Sequence, residues 1–268
     1  MSEFVMVPEA RDYHPTNAYW LARASNLAYE KDNSVIEREV AQWGLHYQDC
    51  SMSGTQAYLA WNDGCVIVAF RGTESDELED WMTDARIRLV PGPRGQVHRG
   101  FQEALDDVWE RLSSALSEIR RSPETGQSLW FTGHSLGAAL ATLAVARLRL
   151  FPPPQPVTAL YTFGQPRVGD TEFATRFDSN MGKETFRVVN NNDIVARVPF
   201  RRLGYCHVGQ TIYFDSDGKR RGEMSWLEKL KDRIEGRFDD LLKPGTDGVK
   251  DHAMRDYIAC LEKELSRA

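Results

Sequence analysis

Residues 129–150 constrain the fold of this chain more than any other stretch. Leu129-Trp130-Phe131-Thr132 is an apolar, strand-like run, and Gly133-His134-Ser135-Leu136-Gly137 is a G-x-S-x-G pentapeptide. The residues that follow, as far as Leu150, are rich in strong helix formers. A strand that passes at once into a helix needs a sharp corner, and Ser135 falls on it. Such a corner presents a serine hydroxyl at the mouth of a sheet, and the N-terminus of the following helix favours negative charge beside it. Gly133 and Gly137 stand two residues either side of the serine, where strand and helix backbones come too close for a Cβ. Ala138, Ala139, Ala141, Ala144 and Ala146 let the helix lie close on the sheet. The bare pentapeptide is short enough to arise by chance, and its ordinary reading is a buried serine in a Gly-flanked turn. The strand before it and the helix after it favour a reactive one.

Residues 1–268 read as a single domain, long enough to bury a sizeable core, with no linker, charge block or repeat dividing them. Cys65-Val66-Ile67-Val68-Ala69-Phe70 is an apolar run too short for a helix, as expected of a strand buried on both faces. Further strands are expected at 158–163, 185–189 and 211–214. Helices are expected at 18–29, capped by Thr16 or Asn17, at 35–43, capped by Ser34, and at 101–119, with others at 171–180 and 252–265. Strands alternating with helices predict an α/β fold: a mostly parallel central sheet with helices on both faces and ligands beyond the carboxyl ends of the strands.

A net charge of −6 without a clustered Lys/Arg stripe argues against nucleic acid as a partner. The pairs Arg120-Arg121, Arg201-Arg202 and Arg220-Arg221 read as solvated loop charge. No apolar run approaches the ~18 residues of a membrane span, and residues 1–15 lack a signal-like pattern. The expectation is a cytoplasmic protein, or one secreted without a recognisable signal, that makes at most transient contact with a lipid interface. Cys50, Cys65, Cys206 and Cys260 show neither C-x-x-C nor metal-ligand spacing and are expected to be reduced. Neither a metal nor a cofactor is implied.

A serine hydroxyl is a weak nucleophile at neutral pH and needs a base, usually His oriented by a carboxylate. On a strand–elbow–helix scaffold the chain order is Ser, then Asp or Glu, then His. Of the six histidines only His207 and His252 follow Ser135. His252 lies after the last expected strand, at the start of the closing helix, and is preferred; His207, beside Cys206, suits packing or support. Asp193 follows the strand at 185–189 through Asn190-Asn191-Asn192, where an acid would sit, although an Asx turn is the plainer reading. An oxyanion needs two donors. The Leu136 N–H is one, and Thr73, after Phe70-Arg71-Gly72, can supply the other.

Several ordered motifs extend the pattern over roughly 61–257. They are Phe70-Arg71-Gly72-Thr73, Asp80-Trp81 with Asp84, Val97-His98-Arg99-Gly100-Phe101, the Ser135 pentapeptide, Tyr161-Thr162-Phe163-Gly164-Gln165-Pro166-Arg167-Val168-Gly169, Asn192-Asp193 through Pro199, and Asp251-His252. With these the chain resembles the class 3 lipases, the fungal-type triacylglycerol lipase branch of the α/β-hydrolases, which also has bacterial members and feruloyl esterases; a bacterial-type member is expected. The resemblance implies a catalytic triad of Ser135, Asp193 and His252, an oxyanion hole at Thr73 and Leu136, and a lid within 74–90.

Two segments depart from the secreted fungal pattern. Residues 74–82 carry five acids, and Leu78, Trp81 and Met82 form only a narrow apolar face for substrate or interface. Weak interfacial activation and a preference for short or medium acyl esters are therefore expected. Residues 215–249 read as an insertion in which Ser225 caps an amphipathic helix carrying Trp226, Leu230, Ile234, Phe238 and Leu241 or Leu242 on one face. Packing on the domain is its plain reading; lining the acyl pocket, with Trp226 against substrate, or making a dimer contact is the sharper one. The expected activity is hydrolysis of acylglycerols or short-to-medium chain esters through an acyl-enzyme. Phospholipase A1, feruloyl esterase and acyltransferase chemistry on the same triad are the nearest rivals, and a non-catalytic interaction protein is a remote one.

Overall fold

The computed structural model describes residues 3–10, 12–73, 88–120, 126–221 and 250–267. The described elements open with α1 (Pro15–Leu27), α2 (Asn33–Gln42), β1 (His46–Asp49), β2 (Ala57–Trp61) and β3 (Cys65–Phe70). A small hairpin follows, β4 (Leu89–Pro91) and β5 (Gln96–His98), then α3 (Arg99–Ile119), β6 (Ser128–His134) and α4 (Leu136–Leu150). The remainder is β7 (Ala159–Phe163), α5 (Thr171–Met181), β8 (Thr185–Asn190), β9 (Gln210–Phe214), β10 (Arg220–Arg221) and α6 (Met254–Leu265).

The described strands form an eight-stranded sheet in the order β1-β2-β3-β6-β7-β8-β9-β10. From β3 to β9 neighbours are parallel, while β1, β2 and β10 extend the edges in antiparallel fashion. This is the expected α/β architecture, and β3 shows why it forms. Val66, Val68 and Phe70 point into one core with α3, α4 and α5, whereas Cys65, Ile67 and Ala69 point into a second with α1, α2 and α6. A fully buried Val, Ile or Phe contributes about 1.5–3 kcal/mol relative to exposure, so both faces hold the strand in place. The register sets Phe70 opposite Gly133, His134 opposite Phe163, and Phe163 opposite Val188. The carboxyl ends of β3, β6, β7 and β8 therefore meet at one edge of the sheet.

Local details differ from the expectations. Helix α1 is capped by His14, whose Nδ1 accepts from the Thr16 N–H at 3.3 Å, with Pro15 as first helical residue. Asn17 is instead buried and bonds both main-chain groups of Val7. Asp32, not Ser34, caps α2 and accepts the Ser34 N–H at 2.9 Å. Helix α6 begins at Met254, which leaves His252 in the preceding turn. Arg220 and Arg221 are not loop charge: they form β10 and pair with Glu264 and Asp215. The four cysteines are unpaired, and burial pushes the Cys50 and Cys65 thiols up to about 11.

Candidate active site

Ser135 occupies the corner between β6 and α4 with φ 57° and ψ −126°, a conformation that L residues rarely adopt. Its N–H donates to the Phe163 carbonyl at 3.0 Å, which ties the corner to the end of β7. Two glycines make the geometry feasible. A Cβ on Gly133 would lie 2.3 Å from the Gly137 oxygen, and one on Gly137 would lie 2.3 Å from the Phe70 oxygen. Gly133 thus admits the helix, while Gly137 admits the end of β3, a neighbour that the local motif did not reveal. The Ser135 side chain is buried, and its Oγ has no hydrogen-bond partner among the described residues.

Asp193 follows β8 and leads into a 3₁₀ turn at Val195–Arg197. Its Oδ1 accepts the Val195 N–H at 2.8 Å; its Oδ2 accepts from His252 Nδ1 at 2.8 Å and from the Tyr257 hydroxyl. Burial would raise the Asp193 carboxyl, but the His252 charge and the hydrogen bonds from His252 and Tyr257 outweigh it and hold the group below its ordinary value. A carboxylate can only accept, so His252 Nδ1 carries the proton. In the neutral ring that leaves the lone pair on Nε2, which is buried and unpartnered among the described residues. Two reactive-type atoms, Ser135 Oγ and His252 Nε2, are thus buried and unsatisfied. Catalytic contacts of this kind are often loose until substrate arrives.

The Asn run does more than form a polar loop. Asn190 Nδ2 donates to the Asp251 carbonyl at 2.9 Å, and Asn191 Nδ2 and the Asn192 N–H donate to Asp251 Oδ2 at 3.0 and 3.1 Å. These bonds fasten the turn that carries His252 to the loop that carries Asp193. Gly164 completes the setting at φ 56°, where an added Cβ would lie 2.7 Å from both Asp193 Oδ2 and the His252 ring. The sequence names Asp251 only as the neighbour of His252 in a motif and gives no local signal for Tyr257, which lies on α6 five residues past His252.

The loop after β3 passes beside the serine: a Cβ on Gly72 would lie 2.4 Å from the His134 oxygen and 3.1 Å from Ser135 Cβ. Thr73 Oγ1 is buried and has no partner among the described residues. Leu136 is the first residue of α4, where an N–H has no partner within its own helix. His207 stands apart from this group, with Nε2 donating to the Ala196 carbonyl at 2.8 Å. Burial, with the charges of Arg187 and Arg167, holds His207 well below its usual range. Leu78, Trp81, Met82 and Trp226 lie outside the described residues, as do 74–87 of the expected lid and 222–249 of the insertion. No cluster of His, Cys, Asp and Glu among the described residues is arranged to hold a metal ion.

The geometry can be set beside known proteins. Residues 67–203, just over half of the chain, match the family model Lipase (class 3). The chain is 29% identical over 257 residues to the Ricinus communis protein named triacylglycerol lipase OBL1, an alignment covering 72% of this chain and 48% of that one. It is 33% identical over 195 residues to the secreted mono- and diacylglycerol lipase 1 of Fusarium solani, covering 69% and 53%. It therefore spans about half the length of these relatives. The Rhizomucor miehei triacylglyceride lipase structure superposes with a TM-score of 0.63 at 26% identity, over 75% of this chain and 80% of that one. The relatives are fungal and plant proteins, which overturns the expectation of a bacterial-type member. The motifs behind that expectation are residues that a shared chemistry constrains, and such residues do not tell branches apart. The chain belongs to the class 3 lipase family.

Proposed function

We propose that this chain is a serine-dependent carboxylic ester hydrolase that cleaves acylglycerols or short-to-medium chain esters through an acyl-enzyme. One observation carries the reading: a buried serine on a strained elbow shares its sheet edge with a His252–Asp193 pair whose free nitrogen is the one a base would use. In this mechanism His252, held by Asp193, takes the Ser135 proton as Oγ attacks the ester carbonyl. The Leu136 N–H and Thr73 stabilise the oxyanion. His252 then protonates the leaving alcohol, and water repeats the cycle on the acyl-enzyme. Acylglycerols are favoured as substrates because relatives carry the names triacylglycerol lipase and mono- and diacylglycerol lipase. We read the chain as one catalytic domain, with a candidate lid within 74–90 and an insertion within 215–249. No described helix is long and apolar enough to cross a membrane.

An organophosphonate should label Ser135 stoichiometrically, and p-nitrophenyl esters from C2 to C16, run beside triglycerides, phospholipids and feruloyl esters, should show the fastest turnover on short or medium acyl chains. Absence of both labelling and turnover would refute the reading. Gly164→Ala should lower kcat about 100-fold, because the new methyl displaces the His252–Asp193 pair and misplacement of about 1 Å costs that much. Circular dichroism of the variant should stay that of the parent.

A further inference from the structure

His134, the residue before the nucleophile, uses both of its ring nitrogens. Nε2 lies 2.7 Å from the His252 carbonyl oxygen, and a carbonyl only accepts, so Nε2 carries the proton. Burial, followed by the charge of His252, pulls the His134 imidazole down to about 3, so the ring is neutral and Nδ1 keeps its lone pair. The Tyr29 hydroxyl, 2.7 Å from Nδ1, is therefore the donor of that bond. The same hydroxyl abuts the loop that leads to Thr73, for a Cβ on Gly72 would lie 2.2 Å from it. The His134 and His252 rings also pack together, with centroids 4.3 Å apart and planes at 31°. One neutral imidazole thus touches His252 on its main chain and on its ring face, and is itself anchored by a tyrosine against the neighbouring loop.

We propose that His134 is a positioning residue that sets the height and plane of the His252 ring relative to Ser135, with Tyr29 locking the tautomer this requires. The proposal rests on the serine-hydrolase reading above. Chain order removes His134 as the base, and the same elbow that aims the serine at substrate turns His134 toward the turn that carries the base. Loss of the Nε2–H leaves a buried carbonyl unpaired and releases the ring that packs on it.

The test uses the 268-residue chain with a soluble ester, p-nitrophenyl butyrate. His134→Leu is expected to lower kcat about 100-fold with KM within about twofold of the parent, since about 1 Å of misplacement costs that much in rate. His134→Gln, whose amide N–H reaches about as far as Nε2, is expected to recover kcat to within about tenfold of the parent, and Tyr29→Phe to lower it about tenfold. A Leu variant with parental kcat and a lowered melting temperature would show a merely structural role and overturn the proposal. So would a Gln variant no better than Leu. If His134→Leu does not fold, Tyr29→Phe decides: unchanged kcat overturns the proposal, and a tenfold loss at unchanged KM supports it. Failure of the parent chain to hydrolyse ester or take up phosphonate would instead sink the underlying reading.

Discussion

Ser135→Ala is expected to reduce ester hydrolysis by about 10⁴–10⁶-fold while leaving the fold intact and slightly stabilised. The rate effect follows from loss of the nucleophile, since what remains is binding and the oxyanion donors. The stability effect follows from the environment. Ser135 Oγ is buried with no partner among the described residues, and such an atom costs about 1–3 kcal/mol of desolvation. Alanine removes that atom without adding backbone strain, because serine and alanine tolerate φ 57° about equally badly. Initial rates with p-nitrophenyl butyrate and a thermal melt check both statements. A variant that keeps parental turnover would exclude Ser135 as the nucleophile, and a clear fall in melting temperature would show that the hydroxyl supports the fold.

Asp193→Asn is expected to cost about 10⁴-fold in kcat through the wrong imidazole tautomer. The Oδ1 position accepts the Val195 N–H, so the amide oxygen of an asparagine belongs there and its NH₂ falls at the Oδ2 position. Two donors now point at that NH₂, from His252 Nδ1 and the Tyr257 hydroxyl. The conflict is relieved when the His252 proton moves to Nε2, which removes the lone pair needed by Ser135. Steady-state kinetics test the loss; a kcat within tenfold of the parent would remove Asp193 from the mechanism. The substitution also changes acid stability. The Asp193 pKa in the fold lies below its ordinary value of 3.8, so the carboxylate stabilises the folded chain above that value, and the contribution is lost as pH falls through the folded pKa. The pH dependence of unfolding should be shallower in the variant below that ordinary value, as pH falls through the parent's folded pKa.

The strongly patterned parts of the chain are legible in its sequence. The run at Cys65–Phe70 is a strand buried on both faces, and the elbow strand and helix stand where the pentapeptide places them. Long periodic or uniformly apolar segments declare themselves because the whole sheet or helix face must be buried. Helix starts and edge strands were less legible. His14 and Asp32 won the caps over Thr16 and Ser34 because one local hydrogen bond decides a cap, and several neighbours can offer it. Strands β1 and β2 carry no clear local signal, and Ala57-Tyr58-Leu59-Ala60-Trp61 is a strand largely because β1 and β3 flank it.

At the site, a strand–elbow–helix scaffold allows the acid and base only downstream of the nucleophile, which leaves His207 and His252; placement after a strand favours His252 and Asp193, and the family motifs join them to Ser135. What required the folded chain was every contact between residues distant in sequence: Tyr257 and His252 sharing one Asp193 oxygen, Asp251 fastened by the Asn190–Asn192 loop, Gly164 against the His–Asp pair, and Tyr29 with His134 behind His252. Order and local pattern specify chemistry that a few residue types can perform. Orientation depends on parallel strands whose register brings four carboxyl ends to one edge, and that register arises from packing on both faces of the sheet.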